Sequence, residues 1–273
     1  MVAADMSFCL ADLKKNKGSK MNTGFSLIAS CYDRFNTAGY EEYLAFFLSA
    51  CEKFADLPVK EVLDLGCGTG EMTKRLCDKG FDVVGLDGSE EMLAEAFVKC
   101  AGTNSLLLCQ DMRNFELYGT VQATLCTYDC INYLLSTADV ASCFDLVNNY
   151  TQKGGVFVFD VNTPYRYGNV FADNAYVYDD QDGMLVWQNR FMKKRGLCDF
   201  YLSYFENAGD GTYIRGDQVQ RQRCYALRTI EKLLKENGFE LCAVYGGTDM
   251  SPLTEESEKA YFVAKSVSGK AQG

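Results

Sequence analysis

EVLDLGCGTGEMTKRLCDKGFDVVGLD, residues 61–87, decides how the chain is read. Its opening, Val62-Leu63-Asp64-Leu65, is a short apolar run that reads as a buried parallel strand. Gly66, Gly68 and Gly70 follow on alternate residues. Glu71 to Lys79 then has the spacing of a helix, with Met72 and Leu76 on one face and Gly80 placed to end it. Phe81 to Leu86 is a second apolar strand, and Asp87 closes it. A turn this rich in glycine, between a strand and a helix, brings backbone close to a ligand.

Two kinds of ligand compete for such a turn. The dinucleotide fingerprint is G-x-G-x-x-G with an acid roughly 20 residues on. Asp87 satisfies the acid, but the third glycine, Gly70, comes one place early and Glu71 stands where it belongs. Asp64 also lies two residues before the first glycine. A pyrophosphate wants N–H groups and no carboxylate nearby. A ligand bearing an ammonium or sulfonium tolerates Asp64.

VLDLGCGTG resembles the first motif of class I S-adenosylmethionine-dependent methyltransferases. The resemblance runs on through VVGLDGSEEML (83–93), QDMRNF (110–115), CTYDCINYLL (126–135) and GGVFVFDVNTPY (154–165), and covers about Ser26 to Ser266. Its nearest relatives are small bacterial methyltransferases similar to sugar N-methyltransferases and glycine N-methyltransferases. It implies an α/β fold: a doubly wound, Rossmann-like sheet with N-terminal lid helices and an antiparallel β insertion after the fifth strand. The cofactor it implies is S-adenosyl-L-methionine, as methyl donor. Its motifs place Tyr32, Asp64, Gly66, Gly68, Gly70, Asp87, Gly88, Asp111, Met112 and Thr127 around that cofactor. Asp87 falls to the ribose hydroxyls, Asp111 to the adenine amine, the Met112 N–H to an adenine nitrogen, and Tyr32 to the methionine part.

Composition narrows the partners. The chain has 273 residues, a net charge of −10, 13 cysteines and no histidine. That charge argues against nucleic acid, which needs a basic footprint. No apolar run reaches the roughly 18 residues of a membrane span, and no signal peptide is evident. The cysteines are scattered and form no C-x-x-C pair, which fits reduced, buried thiols in a cytoplasmic protein and no metal site. Without histidine the commonest general base is missing.

Taken in order, residues 1–20 end in a lysine-rich polar run and read as a disordered extension. Residues 25–54 read as two helices, the second from about Tyr40. Ser105–Cys109, Val121–Thr127 and Val156–Val161 supply further strands, and Thr137–Gln152 a helix ending before Gly154-Gly155. From Gly183 to Tyr225 the pattern becomes three long antiparallel strands. Ala226–Asn237 returns to helix, and Phe239–Tyr245 with Ala260–Lys265 complete the main sheet. The domains are therefore 21–163 with 226–273 for the cofactor, and 164–225 as the insertion. Its many aromatics, Trp187, Phe200 and Tyr204 among them, need cover from the acceptor side or from a second copy, a homodimer through 183–225.

An acceptor pocket above strands four and five points to Tyr128, Asp129, Asn132, Tyr133, Asp160, Asn162 and Tyr165. In the related sugar N-methyltransferases a histidine aligns with Tyr133. A phenol of pKa about 10 is a poor base at neutral pH, so Tyr133 either orients the acceptor or packs. The expected activity is methyl transfer to N or O of a small molecule. Protein or RNA methylation, and a non-catalytic cofactor-binding regulator, stand as alternatives.

Overall fold

The computed structural model describes residues 22–23, 29, 32–35 and 39–268. The expected extension at 1–20 and much of the first expected helix lie outside the described residues. The helices, in chain order, are α1 (Tyr32–Phe35), α2 (Tyr40–Phe54), α3 (Glu71–Asp78), α4 (Glu90–Lys99), α5 (Thr137–Tyr150) and α6 (Leu227–Glu236). The strands of the main sheet are β1 (Glu61–Leu65), β2 (Asp82–Asp87), β3 (Ser105–Cys109), β4 (Val121–Cys126), β5 (Thr151–Asn162), β10 (Phe239–Tyr245) and β11 (Lys259–Ser266). Between β5 and α6 come β6 (Ala175–Asp179), β7 (Gly183–Met192), β8 (Leu197–Asn207) and β9 (Tyr213–Arg223).

The main sheet runs β10-β11-β5-β4-β1-β2-β3. Every pair from β5 to β3 is parallel, while β11 lies antiparallel to both β5 and β10. The chain winds from β1 outward to β3, then returns to β4 on the other side of β1. That reversal opens a crevice beyond the carboxyl ends of β1 and β4, where open α/β sheets bind ligands. Because β11 is antiparallel, its first residue, Lys259, also reaches this edge, opposite Asn162 at the end of β5.

The alternation of side chains divides the core into two layers. Val62, Val83, Ala123, Leu125, Val156 and Val158 pack with Tyr43, Phe46, Phe47 and Ala50 of α2 and with Met72 and Leu76 of α3. Leu63, Leu65, Leu86, Phe157, Phe159 and Phe262 face the opposite way, onto Phe144 and Val147 of α5 and Ile230 and Leu234 of α6. β4 is buried at all six positions, as a strand covered on both faces must be. Local signals set the helix ends. The Ser89 Oγ accepts from the Met92 N–H at 3.2 Å, starting α4. Gly80, at φ 91°, donates to the Cys77 carbonyl while Phe81 donates to Leu76, so α3 ends in a Schellman motif.

Two expectations are corrected. The fifth strand begins at Thr151 instead of Val156, and α5 stops at Tyr150 instead of Gln152. Gly154-Gly155 is therefore inside a strand: the pairing jumps from Val121–Thr151 to Ala123–Val156, a bulge. A Cβ on Gly155 would sit 2.5 Å from the Gln122 carbonyl oxygen, so only glycine passes there. The insertion sheet has also gained strands, its order being Asn22–Thr23, β9, β8, β7, β6. β6 escaped notice because four of its five residues are exposed, which removes the inside–outside pattern.

The inner face of that sheet is closed over the main domain. Trp187, Phe200 and Cys198 pack with Tyr167 and Phe171, and Leu185, Leu202 and Tyr204 with Tyr32, Phe35 and Met92. Tyr201, Phe205 and Tyr213 belong to the other face by the register of β8 and β9.

Gly70 offers a test of the central turn. It sits at φ 81°, and a Cβ there would lie 3.0 Å from the Ala96 Cβ. Gly70→Ala should cost about 2–4 kcal/mol from the left-handed backbone and the overpacking of α4 together. Urea denaturation would read this as a lowered midpoint with an unchanged slope.

Candidate active site

The glycine turn is anchored to the carboxyl end of β2. Gly66 and Cys67 donate their N–H groups to the Leu86 carbonyl at 2.7 and 3.0 Å. The Gly68 N–H donates to one Asp87 carboxylate oxygen at 2.9 Å, and the Ser89 N–H to the other at 2.8 Å. Burial pushes the Asp87 carboxyl upward, against the pull of these N–H groups. A Cβ on Gly66 would meet the Cys130 sulfur at 2.7 Å, whereas one on Gly68 would meet nothing within 4 Å. Gly68 thus leaves an open cradle against backbone, with Asp87 at its rim.

Around this cradle lie Gly88, Asp111, Met112 and Thr127, all lining one cavity. Asp111 is exposed and forked onto the Arg113 guanidinium, with Nε 2.9 and 3.0 Å from its two oxygens. That pairing holds its carboxyl below the usual range. Asp64 and Gly70 do not line the cavity. Asp64 is fully buried beneath the turn; one oxygen accepts from the Thr73 hydroxyl at 2.6 Å and the other has no side-chain partner among the described residues. Burial pushes its carboxyl up to about 7, the Thr73 hydrogen bond opposing.

α1 covers the turn and ties it to the insertion. The Thr69 hydroxyl donates to Asp33 at 2.7 Å, and the Lys99 ammonium reaches Asp33 and Glu71 at 2.5 Å each. From the next residue, Arg34 pairs with Asp180 just beyond β6, its Nε at 3.2 Å. Tyr32, between them, lines the cavity.

On the other side of the crevice the charges are buried. β4 ends in a turn where Tyr128 and Asp129 both have φ 55°, a left-handed conformation that is costly without glycine. The Lys259 ammonium lies 2.8 Å from Asp129 and 2.7 Å from Asp160. Asp160 also accepts from the Asp129 N–H at 3.0 Å and the Tyr43 hydroxyl at 2.9 Å. The second Asp129 oxygen accepts from the Gln222 amide at 2.5 Å. Burial alone would lower the Lys259 ammonium, but the two carboxylates override it and hold it above the ordinary lysine range.

The cavity between these halves measures about 1450 Å³. Of the acceptor-side residues expected from sequence, Tyr128, Asp129 and Tyr133 line it. Asn132, Asp160 and Asn162 lie beneath, fully buried: Asn132 binds the Arg223 carbonyl and the Asn162 N–H, and Asn162 donates to Gln222 at 3.1 Å. Tyr165 does not reach the lining. The Tyr133 hydroxyl donates to Gln220 at 2.9 Å, and burial pushes its phenol well above the ordinary tyrosine range. Tyr133 is thus a donor and wall, held in its neutral form.

Comparison with known proteins identifies the family. A family model described as a methyltransferase domain matches residues 62–155. YqeM of Bacillus subtilis, named as a methyltransferase, is 35% identical over 87% of this chain and 95% of its own. The crystal structure of an S-adenosylmethionine-dependent methyltransferase from Clostridium acetobutylicum superposes with a TM-score of 0.81 at 30% identity, covering 90% of this chain and 99% of that one. The chain belongs to the S-adenosylmethionine-dependent methyltransferases. A dTDP-3-amino-3,4,6-trideoxy-alpha-D-glucopyranose N,N-dimethyltransferase from Streptomyces venezuelae is 27% identical over 68% of this chain and 78% of its own.

Sequence reasoning about this methyltransferase missed Lys259, Glu258, Arg166 and Gln222, all of which line the cavity. The available signal for Lys259 was a lysine opening an apolar strand; only the antiparallel placement of β11 shows that it enters the site. Among the described residues no helix is long and apolar enough to cross a membrane.

Asp64 makes the stability of the methyltransferase depend on pH. Its folded pKa of about 7 lies above the usual carboxyl value, so the folded state holds a proton that the unfolded state has lost. Stability contributed by Asp64 should therefore fall as pH rises from about 4 to 7 and level off above. Asp64→Asn should flatten that slope in denaturant titrations across this range. An identical slope in the variant would remove Asp64 as its source.

Proposed function

We propose that this methyltransferase acts on the N or O of a small molecule enclosed between the main sheet and the insertion. The carrying observation is the cavity itself. It is continuous from the Gly68 cradle to Asp129 and Lys259, and the inner face of the insertion forms part of its wall through Trp187, Phe200, Leu202 and Gln220. Such a covered chamber suits a ligand of limited size. The Streptomyces relative, an aminosugar N,N-dimethyltransferase, supports a small-molecule acceptor.

The residues present fit the cofactor. S-adenosyl-L-methionine supplies a methyl group already activated on a sulfonium, transferable by in-line displacement. Gly68 has room where a side chain would intrude, and the Asp87 carboxylate keeps lone pairs beyond those taken by Gly68 and Ser89 for the ribose hydroxyls. Asp111 and the Met112 N–H would take the adenine edge, and Thr127 and Tyr32 the methionine side; all four line the cavity. Gly66 and Gly70 let the turn pack against Cys130 and Ala96. With the leaving group activated, this chain's residues have chiefly to orient the acceptor and exclude water. Tyr128, Tyr133 and Asp129 are placed for that work, and none needs to act as a strong base.

Two measurements test the reading. Calorimetry should show binding of S-adenosylhomocysteine and none of NADH; the reverse result would overturn the cofactor assignment. Labelled methyl donor incubated with cell extract should mark the dialysable fraction, and label confined to protein or RNA would overturn the acceptor class. Asp87→Ala should weaken S-adenosylhomocysteine binding by roughly 1.5–3 kcal/mol, the scale of a hydrogen bond to a charged group. An unchanged dissociation constant in a folded variant would take Asp87 out of the site.

A further inference from the structure

We infer that Asp129, backed by Lys259, is the docking point for a cationic amine: the nitrogen enters the cavity as an ammonium, would release one proton to solvent to free its lone pair, would take the methyl group as S-adenosylhomocysteine leaves, and would end as a methylated ammonium held by the same carboxylate. The inference rests on the cavity being the acceptor site and adds the chemical class of the acceptor.

The argument begins with a charge count. The ionised groups on this wall are Asp129, Asp160, Glu258, Lys259 and Arg166, contributed by the segment after β4, by β5, by β11 and its preceding loop, and by the turn after β5. Lys259 lies between two carboxylates, and Arg166 Nε stands 3.7 Å from Glu258. Arg166 and the half-exposed Glu258 offset each other, so in the buried set two carboxylates, Asp129 and Asp160, share one cation, Lys259, and one negative charge is left uncompensated. A buried uncompensated charge is costly unless a counter-charge joins it.

Accessibility identifies where the counter-charge goes. Asp160 is fully buried, and its oxygens are taken by Tyr43, Lys259 and the Asp129 N–H. Asp129 keeps 19% of its side chain exposed, although Lys259 and Gln222 each hold one of its oxygens. Each carboxylate oxygen can accept a further bond. The backbone strain at Tyr128 and Asp129 fixes this carboxylate at the mouth of β4, and the hydrogen bond from the Asp129 N–H to Asp160 helps hold it there.

The surroundings favour a cation over a neutral hydroxyl. The rings of Tyr128 and Tyr40 meet edge to face with centroids 5.0 Å apart, and each already draws a cation of the protein, Lys259 at 5.5 Å from the Tyr128 centroid and the Arg75 guanidinium at 5.0 Å from that of Tyr40. Aromatic faces attract ammonium groups, and N-methylation does not remove that attraction. On the same wall Gln220 is 8% exposed, and its Nε2 has no hydrogen-bond partner among the described residues. That spare donor suits an acceptor oxygen elsewhere on the amine. Lys259 has a separate part: its ammonium, shared between the two carboxylates, keeps the excess at one charge.

The test uses full-length protein loaded with S-adenosylhomocysteine, and that loading is measured first by calorimetry. A failure to load would count against the cofactor reading, independently of the amine titration. Methylammonium chloride is then titrated against equimolar sodium chloride, with thermal stability and amide NMR shifts as readouts. Saturable stabilisation by methylammonium, with shifts at Tyr128–Cys130, is expected, and Asp129→Asn should weaken it at least about tenfold. Asparagine tolerates the left-handed backbone, so the variant is expected to fold. Should it not fold, the wild-type titration decides. An effect no greater than that of sodium chloride, or one retained in folded Asp129→Asn, overturns the inference.

Discussion

The Lys259 ammonium, set between Asp129 and Asp160, is the contact on which the architecture of the site depends. Directly or through one hydrogen bond, it joins the end of β4, the end of β5, the start of β11, α2 through Tyr43, and the insertion through Gln222. An apolar cluster of the same volume could stabilise the fold as well or better, because burying three charges carries a large desolvation cost. Charges with directional partners do something an apolar cluster does not: they admit one arrangement of these five segments. The insertion and the lid are therefore registered against the sheet at the point where the crevice opens.

The glycine-turn half of the cavity has a different physical basis. There the backbone does most of the work, through the left-handed glycines, the Leu86 carbonyl and the two N–H groups on Asp87. These are short-range relations within a strand-turn-helix-strand unit, so they could be read from residue order alone. The strands on either side of the turn could be read for the same reason, since buried parallel strands leave apolar runs in the sequence.

What escaped the sequence was long-range or two-sided. Lys259 is separated from Asp129 by 130 positions, and nothing local marks it as part of a site until β11 is known to run antiparallel. The bulge at Gly154-Gly155 escaped because a glycine pair after a helix has two readings, a cap or a strand crossing, and only the close approach of Gly155 to the Gln122 carbonyl selects one. β6 escaped because an exposed edge strand has no buried face to impose alternation. Asp64 shows the opposite case. Its position in the motif was plain, but its burial beneath the turn, against Thr73 and away from the cavity, is a property of packing.

The two halves of the cavity come from separate stretches of chain. The cradle is built from the loops after β1, β2 and β3, while the opposite wall comes from the segments after β4 and β5, the start of β11 and the inner positions of β7, β8 and β9. Replacing Phe200, Gln220 or Gln222 on that inner face reshapes the end of the chamber opposite the glycine turn. On the proposed reading, donor and acceptor recognition can thus diverge independently: a lineage built on this scaffold is free to exchange what it modifies while keeping the reagent with which it does so.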